Sequence, residues 1–146
     1  MKKLCKRGRD VILPIEGDTL VSFCDTGLTG MVFESQDSEQ SLIQFADELR
    51  IIDSESSRVI RGTKPGKDFW RADLHRLDYL IGNRLKEAVA RHDGCLILIF
   101  DTGERLEIES TTGYEAWHFQ YPRPFTRSVR HPVSVHGDHG SLIVFS

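Results

Sequence analysis

One stretch constrains this chain more than any other: RHDGCLILIFDTGERLEIES, from Arg91 to Ser110. Asp93-Gly94 is a pair that accepts the positive φ angles of a tight hairpin turn. The apolar run CLILIF follows, and a run of that length between turn signals predicts a strand buried on both faces. Thr102-Gly103 marks a second turn. ERLEIE then alternates, which sends Leu106 and Ile108 to one face and the glutamates to the other. Strands this short, joined by turns this tight, can pair only as antiparallel neighbours.

The first half of the chain repeats this grammar. Thr19–Cys24, Gly30–Glu34 and Ser41–Ala46 read as strands, separated by Asp25-Thr26-Gly27 and by the polar SQDSEQ (Ser35–Gln40). Gly27 and Gly94 stand 67 residues apart (94 − 27), as do Phe33 and Phe100 (100 − 33). On that register each half reads strand, tight turn, strand, polar turn, strand. We therefore expect an internal duplication, roughly 11–52 and 83–119, inside a single domain spanning 1–146.

Between the halves, DSESSRVIRGTKPGK reads as a connecting loop. Trp70, Leu74, Leu77, Leu80 and Ile81 then fall on one helical face, with Asp68 placed as N-cap and Gly82 as stop. This spacing predicts a helix over 68–81. YEAWHF reads as a further strand, QYPRPFTRSVRHP as a proline-broken loop, and residues 141–145 as a closing strand. The expected class is mainly β (α+β): two related three-stranded antiparallel meanders joined by one helix, forming a sheet sandwich or partial barrel.

Two Asp-Thr-Gly triplets, at Asp25 and Asp101, raise the question of an aspartic protease, whose paired carboxylates share a proton. The 67-residue register aligns the first triplet with His92-Asp93-Gly94, so the two triplets are not equivalent. A dimeric, retroviral-type protease using one Asp25 per subunit remains an alternative, because Leu80-Ile81-Gly82 follows in the right order. Against it, Leu28 stands where such enzymes carry a small residue, and no glycine-rich flap intervenes. The triplets read better as turns.

Composition narrows the classes further. Hydrophobic residues make up 39% and charged residues 28%, with a net charge of −3. This is ordinary globular composition, whereas a general nucleic-acid binder would be basic. The basic start MKKLCKRGR reads as a solvated tail. Val11–Ile15 is too short and too Pro-broken to be a signal h-region, and no run approaches a membrane span. Cys5, Cys24 and Cys95 are few and widely spaced, the usage of free thiols in a reducing cytoplasm.

Two side-chain groups are candidates for binding. His131, His136 and His139, with Asp138 beside them, offer the alternative of a small-molecule or metal-binding module, although their spacing fits no standard zinc pattern and a solvated loop is the simpler reading. Cys95, at the start of an apolar strand, reads as a buried thiol. Glu104, Glu107 and Glu109 line the outer side of one strand, with Glu115 nearby. They read either as a solvated face or as a contact face for a basic protein partner.

The stretch Leu80–Phe119 resembles a family of small bacterial proteins of unknown function. The shared residues are Leu80-Ile81-Gly82, then Gly94, Leu96, Leu98, Phe100 and Thr102-Gly103, then Tyr114-Glu115-Ala116-Trp117. The resemblance implies a single-domain cytoplasmic protein and, as in some members, an immunity role against a toxin. No catalytic residue is carried over. With the acidic strand, it points to a non-catalytic protein-binding function without a cofactor, in which Tyr114 and Trp117 anchor a sheet edge.

Overall fold

The computed structural model describes residues 3–25, 29–45, 48–52, 57–61, 77–110, 115–123, 132–138 and 140–145. The two meanders form as the turn signals require. β3 (Thr19–Asp25), β4 (Thr29–Glu34) and β5 (Gln40–Phe45) make the first, and β8 (Leu85–Ala90), β9 (Leu96–Phe100) and β10 (Arg105–Ile108) the second. All four hairpin pairings are antiparallel.

The remaining strands are β1 (Cys5–Arg7), β2 (Asp10–Ile12), β6 (Glu48–Ile52), β7 (Ser57–Arg61), β11 (Glu115–Tyr121), β12 (Val133–Asp138) and β13 (Ser141–Phe145). They complete two open antiparallel sheets. One is ordered β1-β2-β8-β9-β10-β6-β7, the other β13-β12-β11-β5-β4-β3.

The meanders exchange strands. β6 leaves the first meander and pairs with β10 of the second, bringing Ile51 opposite Leu106. β11 leaves the second meander and pairs with β5 of the first, bringing Phe119 opposite Ile43. Each sheet is thus completed by the strand that follows the other meander. At one corner the entries to β3 and β8 are also laced together. Leu20 N donates to Asn83 O at 3.0 Å, Leu85 N to Asp18 O at 2.9 Å, and Gly17 N to Leu85 O at 2.8 Å. The Arg84 guanidinium adds a 3.2 Å bond to Gly17 O.

The core lies between the sheets. Alternation sends Leu96, Leu98, Phe100, Leu106 and Ile108 inward from one side, and Met31, Phe33, Ile43, Phe45 and Phe119 from the other; all are buried. Ile97 and Ile99 on the opposite face of β9 are only half-buried, so CLILIF is a one-sided strand rather than one covered on both faces.

The structure corrects several expectations. The described end of the 68–81 stretch is not α-helical: Asp78–Leu80 is one 3-10 turn, followed by Gly82 at φ +95°. Trp70 and Leu74 lie outside the described residues. A helix joining the meanders is therefore not supported, and Leu77 and Leu80 reach the core from a turn. The architecture is an all-β sandwich of open sheets rather than a barrel. Part of the basic N-terminal tail is strand β1, paired with β2 from Cys5↔Ile12 to Arg7↔Asp10. Part of the 53–67 loop is β7. The histidine-bearing stretch before the closing strand is β12, an interior strand between β11 and β13.

Candidate functional site

On β11, Trp117, Phe119 and Tyr121 point into the core, so His118 and Gln120 point out. On β12, Val133 and Val135 point in, so Ser134 and His136 point out. The antiparallel register sets His118 directly opposite His136. Their rings stack with centroids 3.9 Å apart and planes 18° apart. Ser134, two residues from His136 on the same face, sits against both: its Oγ is 3.2 Å from His118 Nε2 and 2.7 Å from His136 Nε2. A hydroxyl has one proton, so it donates to at most one of these imidazoles and accepts from the other. Phe145 of β13 meets the His136 ring edge-on at 5.8 Å.

This cluster differs from the one expected from sequence. His136 is present, but its partner is His118, eighteen residues earlier (136 − 118). His131 and His139 lie outside the described residues, as does the Asp138 side chain. Among the described residues no group of three or more His, Cys, Asp or Glu is placed to hold a metal. The signal for His118 was present as outward parity in EAWHFQY. Finding its partner requires the strand register, which is a long-range property.

The acidic set runs along β10 of the first sheet, with Glu104 just before the strand, Glu107 within it and Glu109 just after it. Glu107 points outward from β10 as expected, but Arg105 on the same face holds it, with Nη2–Oε1 at 2.6 Å and Nε–Oε1 at 2.7 Å. Glu109 is 70% exposed and 3.9 Å from Arg50. Glu104 sits in the β9–β10 turn and accepts from the Thr102 hydroxyl. The side chain of Glu115 lies outside the described residues. The face therefore alternates arginine and glutamate, and Glu109 is its most open carboxylate among those described. Next to it, Ser110 Oγ accepts from Gly140 N at 2.8 Å, which brings the start of β13 beside this end of β10.

The two Asp-Thr-Gly triplets separate in space as well as in register. Asp25 ends β3 in one sheet, and Asp101 follows β9 in the other. Thr26 and Gly27 lie outside the described residues. Leu80-Ile81-Gly82 leads into strand β8 rather than a helix. Asp93, the register mate of Thr26, makes a turn bond, accepting from Cys95 N at 3.0 Å. None of the three cysteines is in a disulfide, and burial pushes the Cys95 thiol up to about 11.

The fold and its polar surface define a class: an all-β, two-sheet domain with a histidine pair on one outer face and alternating charges on the other. Within that class the chain belongs to DUF6188, a family of unknown function, which matches residues 15–127. The match spans β3 to β11 and ends before β12 and β13. No curated protein and no solved structure matches the chain.

Proposed function

We propose that the protein is a non-catalytic binding protein of the immunity type, which docks an extended segment of a partner toxin along β13. The supporting observation is how differently the sheet edges are treated. An edge strand presents unpaired backbone groups, and proteins usually guard them with charge. β1 carries Lys6 and Arg7, and β7 carries Arg58 and Arg61. β3 is tied to the other sheet at Thr19↔Arg84. β13 is SLIVF, with no charge, and it leaves Ile143 40%, Val144 42% and Phe145 59% exposed.

An apolar, unguarded edge is suited to strand addition: backbone bonds supply affinity, and alternate side chains supply selectivity. The open Glu109 carboxylate lies just after β10, at the end that sits beside the start of β13. Together with Glu104, Glu107 and Glu115 it forms the acidic component of the reading, favouring a partner strand flanked by basic residues. The immunity role itself comes from the family that Leu80–Phe119 resembles.

The test is capture of the products of neighbouring genes by the purified chain, at low and high salt. A complex that weakens with salt and is lost in Phe145→Asp supports the proposal. If no neighbouring product binds, or if Phe145→Asp and Ile143→Asp both leave the complex intact, the reading fails.

A further inference from the structure

We propose that β13 pairs with the β13 of a second copy of this chain, antiparallel and about a two-fold axis through Ile143, so that two sheets join into one. The inference does not rest on the toxin reading. The second copy fills the edge when no partner strand does, and the two occupants exclude each other.

The strand SLIVF is complementary to itself in three ways. The first is its backbone. Among the described residues only β12 pairs with β13, so the far side of β13 is an edge. A residue of an antiparallel strand points its N–H and C=O to one side, and its neighbours point theirs to the other. Pairing centred on Ile143 sets Leu142 against Val144 and Ser141 against Phe145, so every residue meets one of its own parity and the ladder closes. This centring uses the whole strand, whereas centring on Leu142 or Val144 pairs only 141–143 or 143–145.

The second is charge. Like charges directly opposite each other destabilise a strand pair, and self-pairing of SLIVF brings none together. Self-pairing of β1, by contrast, would set Lys6 against Lys6. The third is side-chain size. A two-fold axis normal to the sheet keeps Ile143 and Phe145 on the outer face, in the rows of His136 and Ser134. The second copy's small Ser141 then lies across from Phe145, and its Ile143 lies on the diagonal, within reach of the ring. Phe145, already edge-on to His136 at 5.8 Å, is thereby covered on its open side. Both chains present the same surface, which is the isologous contact of a two-fold dimer. The start of β13 is held in place for it by the 2.8 Å bond from Gly140 N to Ser110 Oγ.

The test is sedimentation of the purified full-length chain alone, over a concentration series. Reversible exchange between one and two chains is expected, and Ile143→Lys, which puts two like charges at the axis, should abolish the dimer. A second measurement reads the register. Directly opposed residues have Cα atoms about 4.5–5.5 Å apart, within the span of a disulfide, while diagonal ones are about 7–8 Å apart. In a Cys5→Ser background, which removes the exposed native thiol, Ile143→Cys should cross-link two chains on mild oxidation and Val144→Cys should not. A chain that stays monomeric at every concentration, a dimer that survives in folded Ile143→Lys, or cross-linking through Val144→Cys as readily as through Ile143→Cys would each overturn the proposal. No toxin enters these measurements, so their failure and the failure of the toxin reading are separate results.

Discussion

The indole Nε1 of Trp117 donates a 2.7 Å hydrogen bond to the carbonyl of Gly94, deep between the sheets. Trp117 is 1% exposed and belongs to β11 of one sheet, while Gly94 sits in the β8–β9 turn of the other. Gly137, directly across from Trp117 on β12, leaves room for the ring, and a Cβ there would overlap the indole. Gly94 itself has φ +89°, and a Cβ on it would come within 2.5 Å of the Ser110 Cβ. Two glycines and one tryptophan thus form a single joint. Trp117 is a core residue bridging the sheets, not the edge anchor expected from its polar tip.

Replacing Trp117 by Phe keeps a ring but leaves the Gly94 carbonyl buried and unpaired. The expected loss is about 1–3 kcal/mol. Gly137→Ala overpacks the same place and should cost about 1–3 kcal/mol. The two changes should not add, because removing Nε1 removes part of what the new methyl strikes. Urea unfolding of both single variants and the double variant measures this. Strict additivity would show that the joint is not shared.

The joint shows where sequence reasoning reaches and where it stops. Gly94 is legible as a turn glycine because Asp-Gly between apolar runs has few other uses. Leu106 and Ile108 are legible as core because period-two alternation is local. The acceptor for Trp117 is not legible, since it lies 23 residues away across the sandwich. β1 and β7 are hidden because edge strands carry charge, which composition reads as loop. β12 is hidden because its inward Val133 and Val135 are interleaved with Ser134 and His136 and flanked by proline and glycine. The passage of β6 and β11 into opposite sheets leaves no local mark at all.

Cys95 offers a titration test. Burial is the main cause of its raised thiol, up to about 11, and the Glu107 and Asp93 charges add to it. The ordinary thiol value is 9.0. Folding thus favours the protonated form, and stability from this group, complete below pH 9, is lost as pH rises toward 11. At pH 8 a thiol reagent should modify exposed Cys5 well before Cys95. Glu107→Gln removes one of the charges holding the proton and should speed Cys95 labelling at fixed pH. Equal labelling of Cys5 and Cys95 in the native protein would contradict the burial argument.

The opposite sign holds at Asp10. His92 reaches its carboxylate with the backbone N–H at 2.9 Å and with ring Nδ1 at 3.0 Å. The side-chain bond first, and the backbone bond second, hold the Asp10 carboxyl below its ordinary 3.8. A depressed carboxylate contributes stability above the unfolded value and loses it as pH falls through the folded one. NMR titration should place the Asp10 midpoint below 3.8, and His92→Ala should move it back up. A midpoint unchanged by His92→Ala would assign the shift to the backbone bond alone.

The strand exchange carries the strongest consequence for folding. If β3–β4–β5 were self-sufficient, a fragment ending before Leu77 would fold by itself. In the intact chain, however, β5 needs β11 on its open side, and β10 needs β6. A fragment holding only the first meander exposes the inward face of Met31, Phe33, Ile43 and Phe45 and leaves β6 and β7 without a sheet to join. The second fragment has the reciprocal defect. Cutting the chain between Arg61 and Leu77 should therefore give two fragments that are unfolded alone, by near-UV circular dichroism and amide exchange. Mixed together they should recover one cooperative unfolding transition, because each restores the strand the other lacks. A fragment that shows native protection alone would mean that the two sheets fold as separate units and only later dock.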